Sequence, residues 1–477
     1  MGVFRDKHLY HLLGHDDGAS EPRVDDEHNH QTWTKRSPRW TCAVVSVAAV
    51  VLCSTLAWLP FFPHRQHPKY RPGPLRFTEE GTFQIAVFAD LHFGESKDRC
   101  GERSNAADVG IDAWDQWGPQ QDVNTQRIMG DILDAGSQQL CVLNEDLITG
   151  DNGYIHNSSE YVDRIVKPIV HRGLPFASTY GNHDSAFNLS RDQILDWEHR
   201  YKESLTSQMV SGTHAGVTNY YLEVFPHSGG DLPSLLLWFF DSRGGFYYQE
   251  RNDQGEPRAQ PNWVDQSVVE WFLKTNEELV SKYNKVVPSL GFVHIPTNAS
   301  AALQTEVGVD RHRAPGINDD YILSPQAQGW CPDGTRYCPY GGQDVPFMSA
   351  IASTPGLMAL FSGHDHGDSW CYKWEGVVPG MSAKGNGVNL CFNQHSGYGG
   401  YGSWERGARQ VLVREEDLDS HIVETWIRLE SAKIVGAVTL NSTYGQDIYP
   451  ATPNTKTRCP TCHYTIVSAM PGTEDAP

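Results

Sequence analysis

The chain has 477 residues and a formal net charge of −20, with 39% hydrophobic and 11% aromatic residues. This length and apolar content can support one large catalytic domain with appendages. The acidic balance argues against nucleic-acid binding, because phosphate backbones attract stripes of Lys and Arg and the sequence has none. A phosphate-bearing substrate would need a local positive charge, which a metal cluster could supply.

An apolar run without a charged residue occupies residues 41–62. It has about 20 residues, the length of a helix that spans a bilayer. Basic residues flank it on both sides, so charge does not fix its orientation. We interpret it as a transmembrane signal anchor, with a buried core helix as the alternative. The predicted organisation is a disordered cytosolic tail (1–40), the anchor (41–62), a linker (63–82), a catalytic domain (83–450) and a Pro/Thr-rich tail (451–477).

Sequons and cysteines indicate an oxidising compartment for the domain that follows the apolar run. Four Asn-x-Ser/Thr sequons lie after it, at Asn157, Asn188, Asn298 and Asn441. Of 10 cysteines, only Cys42 and Cys53 lie within it, and close pairs such as Cys331 and Cys338 favour disulfides, although their connectivity stays open. We therefore expect a single-pass type II membrane protein with a lumenal or extracellular domain. The secretory pathway, the vacuole and the cell surface all fit.

Short apolar runs alternate with helix-like stretches through the centre of the chain. The strand-like runs are 82–90, 139–146, 174–184, 234–245, 287–296 and 355–366. The helix-like stretches between them include 120–139, 160–172 and 263–283. This alternation predicts an α/β domain whose strands are buried on both faces.

Metal-competent side chains follow the strand-like runs where these end. They are Asp90, His92, Asp146, Asn182, His183, His294, His364 and His366. Ligands of open α/β sheets bind at the carboxyl edge of the strands, so these side chains can converge. Carboxylate, imidazole and amide ligands suit Fe, Mn or Zn better than a thiolate site does.

The series Asp90-Leu-His92, Asp146, Gly181-Asn-His-Asp184, Val293-His294 and Gly363-His-Asp-His366 resembles the calcineurin-like metallophosphoesterase superfamily. Within it, the chain is similar to the fungal and plant branch of purple-acid-phosphatase-like or serine/threonine-phosphatase-like proteins. The resemblance covers residues 83–415, and the stretches 240–245 and 397–402 also resemble that branch. It implies the calcineurin-like fold, an α/β architecture of two mixed β-sheets sandwiched and flanked by helices in four layers.

The resemblance also implies a binuclear metal centre with two ions (Fe, Mn or Zn). Its implied ligands are Asp90, His92 and His366 for one ion, Asn182, His294 and His364 for the other, and Asp146 as the bridge. His183 would contact the phosphate and protonate the leaving oxygen, and Asp184 would orient it. The implied reaction is hydrolysis of a phosphomonoester by a metal-bridging hydroxide.

The second motif departs from the family, which has Gly where this chain has Glu145. Asp151, in a Gly-Asp-x-x-Tyr series, is a rival for the bridging position. We favour Asp146, because a bridge at Asp151 would put two carboxylates inside a buried strand. Thr149 then occupies the place of the tyrosinate that colours purple acid phosphatases, so we expect a colourless enzyme. We expect the added carboxylate of Glu145 to weaken the site or to alter its choice of metal.

Five further polar residues have two interpretations each. Asp241 and Arg243 either contact phosphate or form a structural salt bridge, and we favour the salt bridge. His395, Arg406 and Arg409 either bind phosphate oxygens or belong to a solvated surface, and we favour the surface.

The sequence leaves three hypotheses for function. The preferred one is a metal-dependent phosphatase acting on phosphomonoesters. The alternatives are a phosphodiesterase on the same scaffold and a weakly active, membrane-anchored binding protein. The expected partners are a phosphate-ester substrate and a membrane, contacted through the N-terminal helix, and no nucleic acid is expected.

Overall fold

The computed structural model describes residues 73–94, 119–144, 146–149, 158–185, 189–212, 214–330 and 338–457. These residues all lie within one compact unit, Gln66–Pro477. Within those ranges, no helix combines the length and the apolarity needed to cross a membrane. The proposed anchor at 41–62, Glu145 and Asp151 lie outside the described residues.

The described chain alternates strands and helices in its first half and consists mainly of strands in its second. The strands are β1 (Leu75–Arg76), β2 (Thr82–Phe88), β3 (Leu140–Asn144), β4 (Phe176–Thr179), β5 (Tyr220–Phe225), β6 (Leu235–Phe240), β7 (Phe246–Arg251), β8 (Pro257–Ala259), β9 (Ser289–Val293), β10 (Leu357–Ser362), β11 (Cys371–Val377), β12 (Lys384–Phe392), β13 (Gly407–Arg414), β14 (Val423–Leu429) and β15 (Ile434–Leu440). The α-helices are α1 (Pro119–Asp134), α2 (Ser159–Val170), α3 (Arg191–Glu198), α4 (Gln266–Tyr283), α5 (Asn298–Ala302) and α6 (Val345–Ser353).

Two large mixed sheets organise these strands. Sheet A has seven strands in the order β1-β5-β6-β9-β10-β12-β11, and sheet B has six in the order β15-β14-β13-β2-β3-β4. Strands β6, β9, β10 and β12 run parallel in sheet A, as do β2, β3 and β4 in sheet B. Strands β13, β14 and β15 pair antiparallel. Strands β7 and β8 form a separate hairpin.

Strand alternation builds a core on each face of the sheets. Every residue of β6 is buried, and successive side chains point to opposite faces. One face of β6 joins the core between the sheets, which also contains Phe83, Ile85 and Val87 of β2. The other face packs against Phe272 of α4 and Phe347 of α6. Burying each such phenylalanine contributes about 1.5–3 kcal/mol.

Helices α1 and α2 cover the outer face of sheet B through another apolar cluster. This cluster joins Ile128 and Ile132 of α1 to Ile165 and Ile169 of α2. The layers therefore run helices, sheet B, sheet A, helices. The predicted mixed α/β fold with two sheets is confirmed.

Local sequence signals fix the ends of two helices. Ser190 precedes α3 and forms a reciprocal capping box with Gln193, which satisfies two otherwise unpaired N–H groups. Asp265 caps α4 by accepting from Ser267 N, and Asn284 ends it in the left-handed conformation with φ of 48°. These polar residues set where the helices start and stop, while the apolar clusters hold them on the sheets.

The strand-like runs of the sequence contain β2, β3, β4, β6, β9 and β10. Of the three helix-like stretches, 263–283 contains α4, and the other two match α1 and α2, which each start one residue earlier. Strand β1 lies within the segment 63–82 that we expected to be a linker, and Leu75 and Phe77 are buried in the core between the sheets. Cys371 and Cys391 form a disulfide between paired residues of β11 and β12. Cys338 is disulfide-bonded too, whereas Cys141 is a buried free thiol.

Candidate metal centre

Five parallel strands from both sheets deliver polar side chains to one edge of the sandwich. Asp90 and His92 follow β2, Asp146 follows β3, and Asn182 and His183 follow β4 in sheet B. His294 follows β9, and His364 and His366 follow β10 in sheet A. The carboxyl ends of the parallel strands thus meet where the sequence placed the candidate ligands.

Three overlapping groups at this edge bring their donor atoms within 4.8 Å of one another, a spacing that can hold a metal ion. The groups are Asp90–His92–His366, Asp146–His294–His364 and His92–Asp146–His183.

Asp146 lies between the two halves of this cluster. Its Oδ2 atom is 3.1 Å from His294 Nε2 and 3.9 Å from His92 Nε2. On the far side of His92, His366 Nε2 is 3.2 Å from His92 Nε2 and 3.6 Å from Asp90 Oδ1. One carboxylate therefore faces both groups, which is the position that a bridging ligand requires.

Buried polar atoms at this edge fit a cation. Asn182 Oδ1 and His364 Nε2 are shielded from solvent, and neither has a hydrogen-bond partner within the described ranges. Leaving such an atom unpaired costs about 1–3 kcal/mol, a cost that a bound metal ion removes. Amide oxygen and imidazole nitrogen are suitable ligands for Fe, Mn or Zn.

Four of the clustered residues have left-handed backbone conformations, which are uncommon in residues other than glycine. The φ angles are 56° at Asp90, 47° at His92, 49° at Asp146 and 75° at His364. Hydrogen bonds hold two of these turns: His364 N donates to Asp90 Oδ1 at 2.9 Å, and His92 N donates to the Asp146 carbonyl at 2.9 Å. The sharp turns direct the side chains across the sheet edge.

Asn144, the last residue of β3, joins the two sheets directly below the cluster. Its amide donates to the Phe361 carbonyl of β10 at 3.3 Å, and its Oδ1 atom accepts from Thr179 Oγ1 of β4 at 2.9 Å.

A methyl group at Gly181 would lie 2.2 Å from Asp146 Oδ1, and one at Gly363 would lie 3.0 Å from Asp90 Oδ2. Close backbone approach therefore requires glycine at position 181, whereas a methyl group at position 363 would make a tight contact.

Burial sets the protonation of the imidazoles in the cluster. It lowers the pKa of His92 and of His364 to about 3, and it holds the pKa of His366 well below its usual range. These rings are therefore neutral, the form that binds metal.

The two carboxyl groups of the cluster respond in opposite directions. Burial raises the pKa of Asp90 to about 7. Burial also opposes ionisation of Asp146, but the neighbouring His294 and His183 outweigh it and hold the pKa of Asp146 well below its usual range. The carboxylate between the two groups is thus ionised, and a nearby cation favours the ionised form of Asp90 as well.

The outer ring nitrogens of two histidines have partners that leave Nε2 directed at the cluster. His366 Nδ1 donates to the Tyr401 carbonyl at 2.8 Å. His92 Nδ1 lies 3.2 Å from Thr149 Oγ1. Such contacts fix the tautomer and the ring plane of a metal ligand.

His183 and Asp184 follow the β4 end of the cluster. His183 is half-buried, its ring centre lies 5.1 Å from that of His92, and its N–H donates to Asp146 Oδ1 at 2.9 Å. Asp184 differs from our expectation, because its carboxylate accepts backbone N–H groups of Gly181 at 2.7 Å and Ile148 at 3.0 Å. Asp184 thus holds the loop that carries His183, through the main chain.

Asp241 and Arg243 have structural roles. Asp241 is fully buried and pairs with Arg191 at 3.3 Å, and it accepts from Val217 N and Arg243 N. The Arg243 guanidinium donates to the Trp263 carbonyl at 2.6 and 2.9 Å. This agrees with the salt-bridge interpretation, although the partner of Asp241 is Arg191.

The surface interpretation of three further residues is wrong, since His395, Arg406 and Arg409 are all buried. Arg406 donates to the carbonyls of Trp404 and Gly402. Arg409 donates to the carbonyls of Phe392 and Ser369, and burial lowers its pKa to about 10. The His395 ring lies 3.8 Å from that of His366. Main-chain carbonyls thus accept hydrogen bonds from both guanidinium groups.

Sequence reasoning did not predict that Thr149, Gly400 and Tyr401 contact histidines of the cluster. The signal available for the last two is the Gly/Tyr stretch 397–402, which resembles the same family branch but does not indicate a contact with a histidine.

Comparisons with known proteins find similarities to one family and to several proteins. Residues 83–368 match the model of the calcineurin-like phosphoesterase family. The chain is 24% identical to phosphatase DCR2 of Saccharomyces cerevisiae, over 75% of this chain and 55% of that protein; it therefore spans about half the length of this relative. It is 23% identical to probable inactive purple acid phosphatase 14 of Arabidopsis thaliana, over 82% and 88% of the two chains. A solved dimetal phosphatase from Danio rerio aligns with a TM-score of 0.43 and 13% identity, over 75% of this chain and 98% of that chain.

Proposed function

Because the chain belongs to the calcineurin-like phosphoesterase family, we propose that it is a binuclear metal-dependent phosphatase that hydrolyses phosphomonoesters. One observation carries this proposal: two groups of metal-competent side chains meet at the sheet edge with the ionised Asp146 between them. The name of one relative, phosphatase DCR2, supports the same class of reaction.

In this proposal each half of the centre holds one ion of Fe, Mn or Zn. The proposed ligands are Asp90, His92 and His366 for one, and Asn182, His294 and His364 for the other, with Asp146 shared. Two bound ions would activate the attacking water and stabilise charge on the phosphoryl oxygens. The local positive charge would also offset the acidic chain, whose formal net charge of −20 repels phosphate.

His183 is the proposed general acid. Its side chain is half-buried beside the cluster, so it can reach both a bound phosphate and the departing oxygen. The hydrogen bond from His183 N to Asp146 and the two backbone contacts of Asp184 hold its main chain. A protonated imidazole there would donate its proton to the leaving group.

Metal content and substrate preference test this proposal together. Elemental mass spectrometry of the purified protein should find about two equivalents of Fe, Mn or Zn per chain. His364→Ala should lower that number, whereas His421→Ala should not. His421 is a matched control, because it is an exposed histidine with φ of 54° at the end of a 3₁₀ helix.

Rates on p-nitrophenyl phosphate and bis(p-nitrophenyl) phosphate then separate two activities. A faster monoester reaction supports the proposal, and a faster diester reaction favours the phosphodiesterase alternative. Folded protein that holds no metal and cannot be reconstituted would overturn the enzyme interpretation.

A weakly active, membrane-anchored binding protein is the second candidate. It is favoured by Glu145, which stands where the family has glycine, and the plant relative is named probable inactive. Glu145→Gly decides between the candidates. A gain of more than about tenfold in kcat/KM, or about 1.4 kcal/mol of transition-state stabilisation, would show that the natural site is impaired. An unchanged rate favours the phosphatase.

We also propose that the chain is a single-pass type II membrane protein with its catalytic domain in an oxidising compartment. The apolar run at 41–62 and the Cys371–Cys391 disulfide support this, because disulfides persist in such compartments. Protease protection and glycosidase sensitivity of microsomes test it. If protease added outside sealed microsomes cleaves the catalytic domain, that domain faces the cytosol and the proposed orientation is wrong.

A further inference from the structure

The loop Gly397–Gly402, here the glycine loop, lies against one half of the candidate metal centre. The chain enters it alongside the end of β2, where Ser396 N donates to the Ala89 carbonyl at 2.9 Å and Gly397 N donates to the Asp90 carbonyl at 3.1 Å. The loop is therefore attached to the same strand end that supplies Asp90 and His92.

Tyr401 contacts His366 in three ways. Its ring stacks on the imidazole with centres 4.0 Å apart and planes within 11°. Its carbonyl accepts from His366 Nδ1 at 2.8 Å, and its hydroxyl accepts from His366 N at 3.1 Å. The same hydroxyl donates to Asp320 Oδ2 at 2.5 Å. Tyr401 therefore fixes the ring plane, the tautomer and the main-chain position of His366.

Gly400 brings the loop backbone against both histidines of this half. A methyl group there would lie 2.4 Å from His366 Cε1 and 2.7 Å from His92 Cδ2. Its neighbour Gly399 is as close, because a methyl group there would lie 2.3 Å from the His92 carbonyl oxygen. A side chain at either position would displace an imidazole or move the loop away.

The loop is itself held from behind. His395 Nε2 donates to the Gly399 carbonyl at 3.0 Å, and Tyr398 N donates to Thr125 Oγ1 at 2.9 Å. Arg406 Nη2 donates to the Gly402 carbonyl at 3.0 Å. Through these contacts, the buried residues His395 and Arg406 hold the loop against the imidazoles.

We propose that the glycine loop positions His366 and His92 and thereby controls the affinity of the Asp90–His92–His366 half of the centre for its ion. Tyr401 and Gly400 act as positioning residues. The inference rests on the proposed function, since it assumes that this half binds a metal ion. It adds that the two halves depend on different parts of the chain.

Gly400→Ala is the first test, with Gly376→Ala as its matched control. Both glycines have φ of +76°, but a methyl group at Gly376 meets open space, so the control carries the same backbone strain without touching a histidine. Zinc is titrated into the full-length, metal-stripped proteins, and bound zinc is counted by elemental mass spectrometry. We expect the wild type and Gly376→Ala to retain two equivalents and Gly400→Ala to retain one.

Tyr401→Phe is the second test and keeps the proposal falsifiable if Gly400→Ala does not fold. It preserves the ring and the carbonyl and removes only the hydroxyl. Tyr398→Phe removes a hydroxyl from the same loop that bonds Glu430 instead. Tyr401→Phe should weaken one zinc equivalent by about 10-fold or more and leave the other unchanged, whereas Tyr398→Phe should leave both unchanged.

The outcomes separate this inference from the proposed function. Two zinc equivalents of wild-type affinity in both Gly400→Ala and Tyr401→Phe would overturn the positioning role and leave the proposed function standing. Equal weakening of both equivalents would also overturn it, because a general structural role predicts that result. A folded wild type that binds no metal would overturn the proposed function as well.

Discussion

Replacing Arg191 by methionine should cost several kcal/mol of folding stability, because it removes one partner of a buried ion pair. Arg191 and Asp241 are 3.3 Å apart, with side chains only 4% and 0% exposed. The guanidinium also donates to the carbonyls of Gly181 at 2.5 Å and Gly244 at 3.1 Å. Methionine keeps the apolar length of the side chain and removes its charge and its donors.

The magnitude follows from what remains. Breaking a buried pair by removing one partner costs about 3–5 kcal/mol, because a charge is left uncompensated. Asp241 still accepts from Val217 N and Arg243 N, which places the expected loss at about 3 kcal/mol, the lower end of that range. The freed carbonyls of Gly181 and Gly244 add to the loss.

Urea unfolding of Arg191→Met measures this loss as a shift in midpoint at constant slope. Arg258→Met is the matched control, because Arg258 pairs with Glu250 at 2.7 Å but the two side chains are 55% and 50% exposed. Exposed pairs contribute about 0–1 kcal/mol. If Arg191→Met loses no more stability than Arg258→Met, burial does not give this pair its value, and the reasoning fails.

Three other buried features give measurable outcomes: a carboxyl group, a glycine contact and a disulfide. Burial raises the pKa of Glu198 from 4.5 to about 7. The folded state therefore keeps this proton to a higher pH than the unfolded state does, and the free energy of unfolding falls by about 3 kcal/mol as the pH rises from 4.5 to 7. Glu198→Gln should reduce this pH dependence in unfolding curves, and an unchanged pH slope would contradict the assignment. Gly181→Ala should lower the metal content, because its methyl group would lie 2.2 Å from Asp146 Oδ1. Gly73→Ala is the control, since a methyl group there meets open space. Equal metal content in both variants would count against Asp146 as a ligand. Cys391→Ser opens a disulfide with a sequence separation of 20 and should cost about 3 kcal/mol of folding stability. Because Cys338 is disulfide-bonded too, reducing agent should destabilise both proteins, and the wild type by more.

The parallel strands of the sandwich can be predicted from the sequence because their signal is local. Strands buried on both faces appear as short apolar runs, and β3, β9 and β10 are each buried throughout. Each run ends where a polar residue begins. Asp90, Asp146 and His294 therefore mark the carboxyl edge of the sheets in the amino-acid sequence itself.

Two of the antiparallel strands, β7 and β15, carry no comparable signal. Strand β7 has exposed and half-buried residues without strict alternation, and most of β15 is not fully buried. The pairing of β13 with β2 joins Arg409 to Val87, residues far apart in the chain. Only tertiary packing decides such pairings, so the second half of sheet B came from the family resemblance alone.

Contacts to the candidate site from distant segments are equally invisible in the sequence. The interactions of Tyr401 with His366 and of Arg191 with Asp241 depend on where the folded loops lie. The sequence marks Arg406 and Arg409 as charged, and the general preference of arginine for the surface then predicts the wrong environment. Their partners include main-chain carbonyls, which no sequence pattern displays.

The left-handed turns at Asp90, His92, Asp146 and His364 have a consequence for protein engineering. An L-residue in this conformation is disfavoured by about 1–2 kcal/mol, a penalty that glycine avoids. Glycine at these four positions would relieve that penalty but would remove the candidate ligand atoms. At Asp90 and Asp146 it would also remove the carboxylates that accept from His364 N and His183 N. Any programme that stabilises this chain should hold the four positions fixed and take its gains elsewhere.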